Sequence, residues 1–270
     1  MDFLRKPEIR KMEYEPYKNK LESYISLFPV LRKALYWAMD TLLLRQRYVK
    51  REISRLFPRE KPLSLYDAGA GFCQYSDYVL AHWQGSIAFA TDLKTPYLAS
   101  FACYTDGAYP GRFSYRGADL ATFHPLKQYD LALAIDILEH IEDDLAVLRN
   151  FHQALKPGGF LIISTPSDTD EAARFTAEHV RPGYNKTELE NKLRLTGFEL
   201  DKSLYTYGRF GSLAWKLLMK QPLKLIAKKQ FWVLPLYYLF AYPVAELLMR
   251  LDLRIRNNSG TGILVVARKA

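Results

Sequence analysis

Short apolar runs alternate with helical segments from residue 63 onward, and few folds accommodate such an alternation. The runs occupy residues 63–68, 86–92, 112–119, 129–136 and 160–166, with further runs near 198–204 and at 262–268. Each has the length of a strand and the apolar composition expected of strands buried on both faces. The pattern therefore predicts an α/β fold with a doubly wound, mostly parallel seven-stranded sheet.

The remaining segments predict two helical additions to this sheet. Residues 1–60 carry apolar residues at helical spacing that Pro29 interrupts, so we expect an extension of two helices, with basic residues clustered near its end. A long helical insertion separates the last two strands. The predicted units are the extension (1–60), a core (61–202), the insertion (203–260) and a last core strand (261–270).

Local signals predict where two of the core helices begin and end. A helix over residues 142–156 is predicted to stop at Pro157-Gly158-Gly159. Thr187 and Glu190 have the spacing of a capping box, which predicts a helix that starts there and stops at Gly197.

The net charge of +9 and the cysteine content limit compartment and partners. Two cysteines, Cys73 and Cys103, do not make a disulfide framework in a chain of 270 residues, so a reducing, cytoplasmic compartment is expected. The N-terminus runs into charged residues and does not resemble a signal peptide. The positive charge is compatible with nucleic acid, an anionic membrane surface or an acidic substrate.

A glycine-containing turn follows the first predicted strand, in the segment Asp67-Ala68-Gly69-Ala70-Gly71. Glycine lets the backbone turn tightly and lets a ligand approach, and the next helix offers its N-terminus to that ligand. Asp92 ends the second strand, where a carboxylate can accept hydrogen bonds from both hydroxyls of a ribose. The dinucleotide fingerprint requires a third glycine where this chain has Gln74, so the turn favours S-adenosylmethionine (SAM) over NAD.

In order and spacing, these segments resemble the class I SAM-dependent methyltransferases, in the group that includes the ubiquinone and menaquinone methyltransferases. The segments that carry the resemblance are 65–71, Asp92, 118–120, 136–144 and 155–160. The resemblance implies a Rossmann-like methyltransferase fold, SAM as cofactor, S-adenosylhomocysteine as product and no metal. One departure is Cys73, where many relatives have glycine, and we expect little consequence because cysteine is small.

The resemblance also implies which residues surround the cofactor. They are Asp67, Gly69 and Gly71 at the methionine end, Asp92 at the ribose, Asp119 and Leu120 at the adenine, and Asp136 and Ile137 on the wall after the fourth strand, with Tyr75 and Leu93 completing the set. Since most of these follow strand ends, a parallel sheet would bring them to one edge.

His140 is the candidate catalytic base. Methyl transfer from a sulfonium is a direct displacement, so the protein mainly aligns the nucleophile and excludes water, and a base helps a phenol or enol to lose its proton. The alternative is that Glu139 and His140 only cap and orient the next helix. Residues 136–139 also lack the Pro-Pro turn of nucleic-acid amino-methyltransferases, which argues against methylation of exocyclic base nitrogens.

Three residues after the fifth strand are candidate substrate ligands. His179, Arg181 and Tyr184 lie in a segment that resembles one common in this group, and they could contact an acidic or phenolic substrate. The alternative is that Arg181 pairs with a structural carboxylate and Tyr184 packs.

The insertion concentrates the positive charge, because residues 203–256 hold nine basic and two acidic residues. Lysines recur every four residues from Lys216 to Lys228, which predicts that they share one side of a helix. The aromatic-rich run at 231–245 is interrupted by prolines and is too short to span a membrane. A basic amphipathic segment beside an aromatic one is typical of helices that lie in a membrane interface.

These observations favour a methyltransferase that acts on a hydrophobic small molecule, such as a quinone precursor, a phenolic compound or a lipid, in peripheral contact with the inner face of a membrane through residues 203–256. The alternatives are a soluble methyltransferase of a polar metabolite, an RNA-binding or RNA-modifying protein, and a SAM-binding regulator without catalysis. Nucleic acid is disfavoured because the basic residues are interleaved with apolar runs. The oligomeric state stays open.

Overall fold

A computed structural model describes residues 29–169 and 180–270 of the chain. The strands are β1 (Ser64–Ala68), β2 (Ile87–Asp92), β3 (Phe113–Gly117), β4 (Tyr129–Ile135), β5 (Leu155–Pro166), β6 (Phe198–Thr206) and β7 (Gly262–Lys269). They form one sheet in the order β3-β2-β1-β4-β5-β7-β6. The predicted seven-stranded sheet is confirmed.

The helices flank this sheet. They are α1 (Pro29–Leu42), α2 (Leu44–Leu56), α3 (Gln74–His82), α4 (Thr95–Ala108), α5 (Asp144–Ala154), α6 (Lys186–Leu195), α7 (Arg209–Trp215), α8 (Gln221–Ala227) and α9 (Leu234–Arg254). Short 3₁₀ turns cover Leu138–His140 and Phe231–Val233, and a π-helical turn over Lys216–Lys220 joins α7 to α8.

The strand directions place the carboxyl ends of six strands at one edge. Strands β1 to β5 pair in parallel, and β7 is antiparallel to both β5 and β6, so β6 runs parallel to β5. The chain reverses its direction of winding between β1 and β4, and in open α/β sheets the crevice beyond such a point is the usual ligand site.

The two faces of the sheet are buried under different helices. Successive residues of β1 alternate between them, with Leu65 on one face and Tyr66 on the other. The first face packs against the extension helices α1 and α2, against α3 and α4, and against α9 through Ala245 and Met249. The second face packs against α5 and α6. The extension and the insertion therefore cover the same face.

The extension differs in detail from the prediction. A helix begins at Pro29, a position that tolerates proline because its missing N–H has no partner in the first turn, and the break between the described helices falls at Leu43. The residues predicted to form the earlier helix lie outside the described ranges. Arg32 anchors α1, since its buried guanidinium donates to Ser100 Oγ at 2.5 Å and lies over the ring of Phe101.

The start of α6 corrects the predicted capping box. The N-cap is Asn185, whose Oδ1 accepts hydrogen bonds from the backbone N–H groups of Thr187 and Glu188, and Glu190 instead pairs with Lys186. The predicted stop is confirmed, because Gly197 follows the helix at φ +92°, a conformation that glycine adopts without strain.

The insertion contains a longer helix than the sequence pattern indicated. The expectation that its prolines break the apolar run was wrong, because α9 is 21 residues long and continues through Pro243. Residues Phe231–Arg254 are long and apolar enough to cross a membrane, by length and composition alone. Tyr237 and Tyr238 instead attach one side of α9 to the π-helical turn by donating to the carbonyl groups of Leu217 and Leu218, each at 2.9 Å.

Candidate active site

The turn after β1 is shaped by two glycines with positive φ. Gly69 has φ +70°, and a Cβ there would lie 2.8 Å from Ile137 Cγ1, so only glycine lets the turn approach the loop after β4. Gly71 has φ +52°, and a Cβ there would meet no described atom within 4 Å. The turn is therefore tight on the β4 side and leaves space for a ligand at Gly71.

Cys73 shares the strained conformation of this turn. It is buried at φ +59°, in the left-handed region, just before α3. A residue with a side chain is uncommon there, which explains why glycine is preferred at this point of the turn. Cysteine is accommodated sterically, as expected, but in a conformation that glycine would adopt more easily.

Asp92 is held in a fixed orientation at the end of β2. Its Oδ2 accepts from the backbone N–H of Gly71 at 2.9 Å, and its Oδ1 accepts from that of Lys94 at 2.8 Å. Each carboxylate oxygen retains a second lone pair, so two further donors such as ribose hydroxyls can be bound without rearrangement. Leu93 beside it is half exposed and offers an apolar surface at the same edge.

Asp67 lies under the turn rather than beside open space. It is buried, and its Oδ2 accepts from Ser76 Oγ at 2.7 Å. Burial raises the pKa of Asp67 to about 7 and outweighs the hydrogen bonds from Ser76. Its carboxyl group therefore joins β1 to the first turn of α3, where it supports the glycine turn from below.

Asp119 and Leu120 follow β3 at the same edge. Asp119 is exposed, and its Oδ1 accepts from the backbone N–H of Ala121 at 2.9 Å. Leu120 is buried, and its carbonyl group accepts from Asn150 Nδ2 at 3.1 Å. Asp119 is therefore accessible at this edge, whereas Leu120 packs into the core beside it.

Asp136 forms an ion pair that the sequence did not predict. It has φ +50°, and its backbone N–H donates to the carbonyl of Ser164 at 2.7 Å. Its carboxylate pairs with Arg45, which α2 brings in from the extension. In the sequence, Arg45 is one member of the basic cluster near the end of the extension, and no local pattern indicates which carboxylate it meets.

Buried polar atoms surround this ion pair without hydrogen-bond partners among the described residues. They include Arg45 Nε and the hydroxyl group of Tyr75, which is almost fully buried. Burial raises the pKa of Tyr75, and the charge of Arg45 opposes this. Buried polar groups are nearly always paired in proteins, so these atoms retain hydrogen-bonding capacity beside the ion pair.

Glu139 and His140 share a 3₁₀ turn after β4, in which His140 is half-buried. Glu139 is buried, and its Oε2 accepts from Thr165 Oγ1 at 3.1 Å. Burial raises the pKa of Glu139, while His140 and Arg45 oppose the shift. The Glu139 carbonyl group also accepts from the backbone N–H of Val180 at 3.0 Å, so this residue holds the chain that returns toward α6.

The predicted substrate ligands have structural partners. Tyr184 is buried and donates to Asp144 Oδ2 at 2.7 Å, and Arg181 pairs with the same carboxylate at 2.5 Å. Lys192 completes this network at 2.8 Å. Arg181 and Tyr184 therefore make the contacts of the alternative interpretation, in which they hold the loop in place. His179 lies outside the described residues.

No group of three or more histidine, cysteine or acidic residues that could hold a metal ion occurs within residues 29–169 and 180–270.

The sheet order, the glycine turn after β1 and the acidic residues at the ends of β2 and β4 together define a class I SAM-dependent methyltransferase.

The chain belongs to the family described as methyltransferase domain, which matches residues 43–203. It is therefore an enzyme of the SAM-dependent methyltransferase class, and its cofactor is SAM.

Known proteins of several specificities are similar to this chain. Trans-aconitate 2-methyltransferase of Agrobacterium fabrum is 25% identical over 133 residues, 49% of this chain and 50% of that protein. A ubiquinone biosynthesis O-methyltransferase of Ruegeria pomeroyi is 46% identical over 39 residues, 14% of this chain and 16% of that protein. The matched regions thus span half or less of these curated relatives.

Solved structures show the same fold. Phosphoethanolamine N-methyltransferase 2 of Haemonchus contortus, in complex with SAM, aligns with a TM-score of 0.60 at 18% identity, covering 95% of this chain and 60% of that one. The N-methyltransferase NodS of Bradyrhizobium japonicum, in complex with S-adenosylhomocysteine, aligns with a TM-score of 0.54 at 14% identity, covering 86% and 91%. At these identities the likeness concerns the fold.

Proposed function

We propose that this methyltransferase transfers the methyl group of SAM to a hydrophobic small molecule, such as a phenolic compound, a quinone precursor or a lipid, while docked on the anionic inner face of a membrane. The observation that carries this proposal is an exposed apolar surface on the insertion. We call it the insertion face and define it by Phe231, Trp232, Leu236, Leu239, Phe240, Val244 and Leu247, which are between 52% and 75% exposed.

Five members of the insertion face lie on one side of α9, and Phe231 and Trp232 lie in the 3₁₀ turn just before this helix. The members on α9 are spaced mostly three and four residues apart, and the other side of the helix is attached to the π-helical turn and buries Ala245 and Met249. Contiguous exposed apolar surface of this kind is rare on soluble monomers and usually marks an interaction site.

Positive charge accompanies the insertion face and indicates which partner covers it. Lys216, Lys220, Lys224, Lys228 and Lys229 are all exposed on the segment that precedes it. No acidic residue occurs between positions 202 and 245. Each lysine near an anionic leaflet contributes about 1 kcal/mol of attraction, which complements the apolar insertion of the aromatic side chains.

Contacts near its C-terminus argue that α9 lies in the interface and does not cross the membrane. Glu246 pairs with Arg47 of α2 at 2.7 Å. Asp252 is fully buried and accepts from the hydroxyl of Tyr48 and from the backbone N–H of Gly211. A helix held to the catalytic domain by these polar links cannot enter the hydrocarbon core along its whole length.

The insertion also leads directly to the reaction site. Because β6 runs parallel to β5, it ends at the cofactor edge, and the insertion begins there. In the proposed arrangement, a hydrophobic acceptor leaves the membrane at the insertion face and binds at the edge that carries Asp92 and Asp136. His140 follows β4 at this edge, where an imidazole can take the proton of a hydroxyl or enol acceptor.

The residues at this edge fit SAM. The cofactor supplies a methyl group on a sulfonium that a nucleophile displaces directly. Asp92 would accept the ribose hydroxyls, and Asp119 with Leu120 would flank the adenine. Arg45 and Asp136 present one charge of each sign, which matches the carboxylate and the ammonium group of the methionine end. The unpartnered Tyr75 hydroxyl adds a hydrogen-bonding group beside them.

Vesicle flotation tests the membrane part of the proposal. The full chain should float with vesicles of phosphatidylcholine and phosphatidylglycerol and much less with phosphatidylcholine alone. Replacing Trp232, Leu236 and Phe240 together by serine should abolish flotation. Leu126→Ser is the matched control, because Leu126 is fully exposed outside the insertion, and it should float like the native chain. Failure of the native chain to bind anionic vesicles would favour the soluble alternative.

A further inference from the structure

We infer that Tyr207 is a positioning residue for the cofactor site: its hydroxyl group holds the N-terminal turn of α2 so that Arg45 reaches Asp136. This inference rests on the role proposed above for Arg45 in binding the methionine end of SAM. It assigns to the first residues of the insertion a part in cofactor binding, besides their part in membrane docking.

The first turn of α2 lacks a cap of its own. The N-cap residue is Leu43, which has no side-chain acceptor, so the first N–H groups of the helix need partners from elsewhere. The backbone N–H of Arg45 donates to the hydroxyl oxygen of Tyr207 at 3.0 Å. A residue 162 positions away along the chain therefore supplies the missing acceptor.

Tyr207 is itself rigidly placed. It follows β6 at φ +51°, a conformation that a residue with a side chain adopts only when its surroundings impose it. Its carbonyl group accepts from Ser212 Oγ at 2.7 Å, in α7, and from the backbone N–H of Thr261 at 3.2 Å, just before β7. Contacts on both sides of the insertion thus fix the tyrosine that holds Arg45.

A second set of contacts keeps α2 in place when the Tyr207 hydroxyl is removed. Tyr48, one turn further along α2, donates to Asp252 Oδ2 at 2.8 Å, and Gly211 donates its N–H to Asp252 Oδ1 at 2.9 Å. Arg51 also donates to the carbonyl group of Leu253. Loss of the Tyr207 hydroxyl therefore frees the first turn of α2 without detaching the helix.

Calorimetric titration with S-adenosylhomocysteine tests the inference through four variants. Arg45→Gln should weaken binding by about tenfold or more, since it removes a charged partner. Tyr207→Phe should weaken it by about three- to tenfold, the size of one neutral hydrogen bond. The double variant should bind no more weakly than Arg45→Gln alone, because Tyr207 acts through Arg45.

Tyr237→Phe is the matched control. It removes a tyrosine hydrogen bond of 2.9 Å within the insertion that does not involve α2, so affinity should stay at the native level. Thermal unfolding should show similar melting temperatures for Tyr207→Phe and Tyr237→Phe. If Tyr207 had a purely structural role, both variants would also bind S-adenosylhomocysteine with native affinity.

Each other outcome overturns a specific claim. Native affinity in Tyr207→Phe, with weakened binding in Arg45→Gln, overturns the inference and leaves the role of Arg45 standing. Losses that add in the double variant show that Tyr207 acts independently of Arg45 and also overturn the inference. Native affinity in Arg45→Gln overturns both the inference and the proposed role of Arg45, whatever the flotation result.

Discussion

Replacing Asp67 by asparagine should stabilise the protein at neutral and alkaline pH, although it changes a residue under the cofactor turn. The Asp67 carboxyl is buried, and hydrogen bonds from Ser76 do not compensate the cost of burying its charge. Its pKa rises from the ordinary 3.8 to about 7 as a result. Asparagine has nearly the same shape, can keep the hydrogen bond to Ser76 and carries no charge.

The magnitude follows from the difference in pKa between the folded and unfolded chains. Between about pH 4 and pH 7 the folded protein retains a proton on Asp67 that the unfolded chain releases, so the stability of the native protein falls as pH rises. From pH 5 to pH 8 this amounts to about 2 to 3 kcal/mol. The free energy of unfolding of Asp67→Asn, relative to that of the native protein, should rise by the same amount from pH 5 to pH 8.

Urea unfolding of both proteins at pH 5, 6, 7 and 8 measures the difference. Asp130→Asn is the control: burial opposes ionisation there too, but hydrogen bonds from Ser64 and Lys156 outweigh it and lower the pKa of Asp130. Its effect should therefore be constant across this range, because both states are ionised. A constant difference for Asp67→Asn would show that Asp67 is ionised in the folded protein and refute the reasoning.

Three further predictions concern the site. Gly69→Ala should abolish SAM binding in calorimetry, because its Cβ would lie 2.8 Å from Ile137 Cγ1. The double variant with Ile137→Ala should regain part of the affinity, and native affinity in Gly69→Ala alone would contradict the close approach. Tyr184→Phe should cost about 1 to 2 kcal/mol in urea unfolding through the lost bond to Asp144 with KM for the acceptor unchanged, whereas a raised KM would identify it as a substrate ligand. His140→Gln should lower kcat about 100-fold or more with native SAM affinity, and an unchanged kcat would leave His140 a structural role.

Features with local causes could be predicted from the amino-acid sequence. The alternation of strands and helices, and therefore the parallel sheet, follows from apolar periodicity over short windows. The stop at Gly197 likewise depends on neighbours in the chain. The glycine turn after β1 and Asp92 at the end of β2 could be predicted as one site because parallel strands end at the same edge.

Other local predictions failed because a nearby alternative was energetically better. Asn185 caps α6 in place of Thr187, since its side chain reaches two free N–H groups of the first turn. The helix α9 continues through Pro243 although proline leaves one helical hydrogen bond unmade, and its attached side packs into the core through Ala245 and Met249. In both cases the pattern indicated the correct kind of element but the wrong boundary.

The amino-acid sequence by itself determined the sheet, the cofactor class and the position of the glycine turn, since each depends on residues close together in the chain. Only the tertiary structure decided that Arg45 meets Asp136, that Tyr207 holds the backbone of Arg45, and that Arg181 and Tyr184 share Asp144. Each of these contacts joins two separate segments, and the apolar periodicity within each segment carries no information on which other segment it meets. Their pairing depends on how helices pack on the sheet, which the order of residues along one segment does not specify.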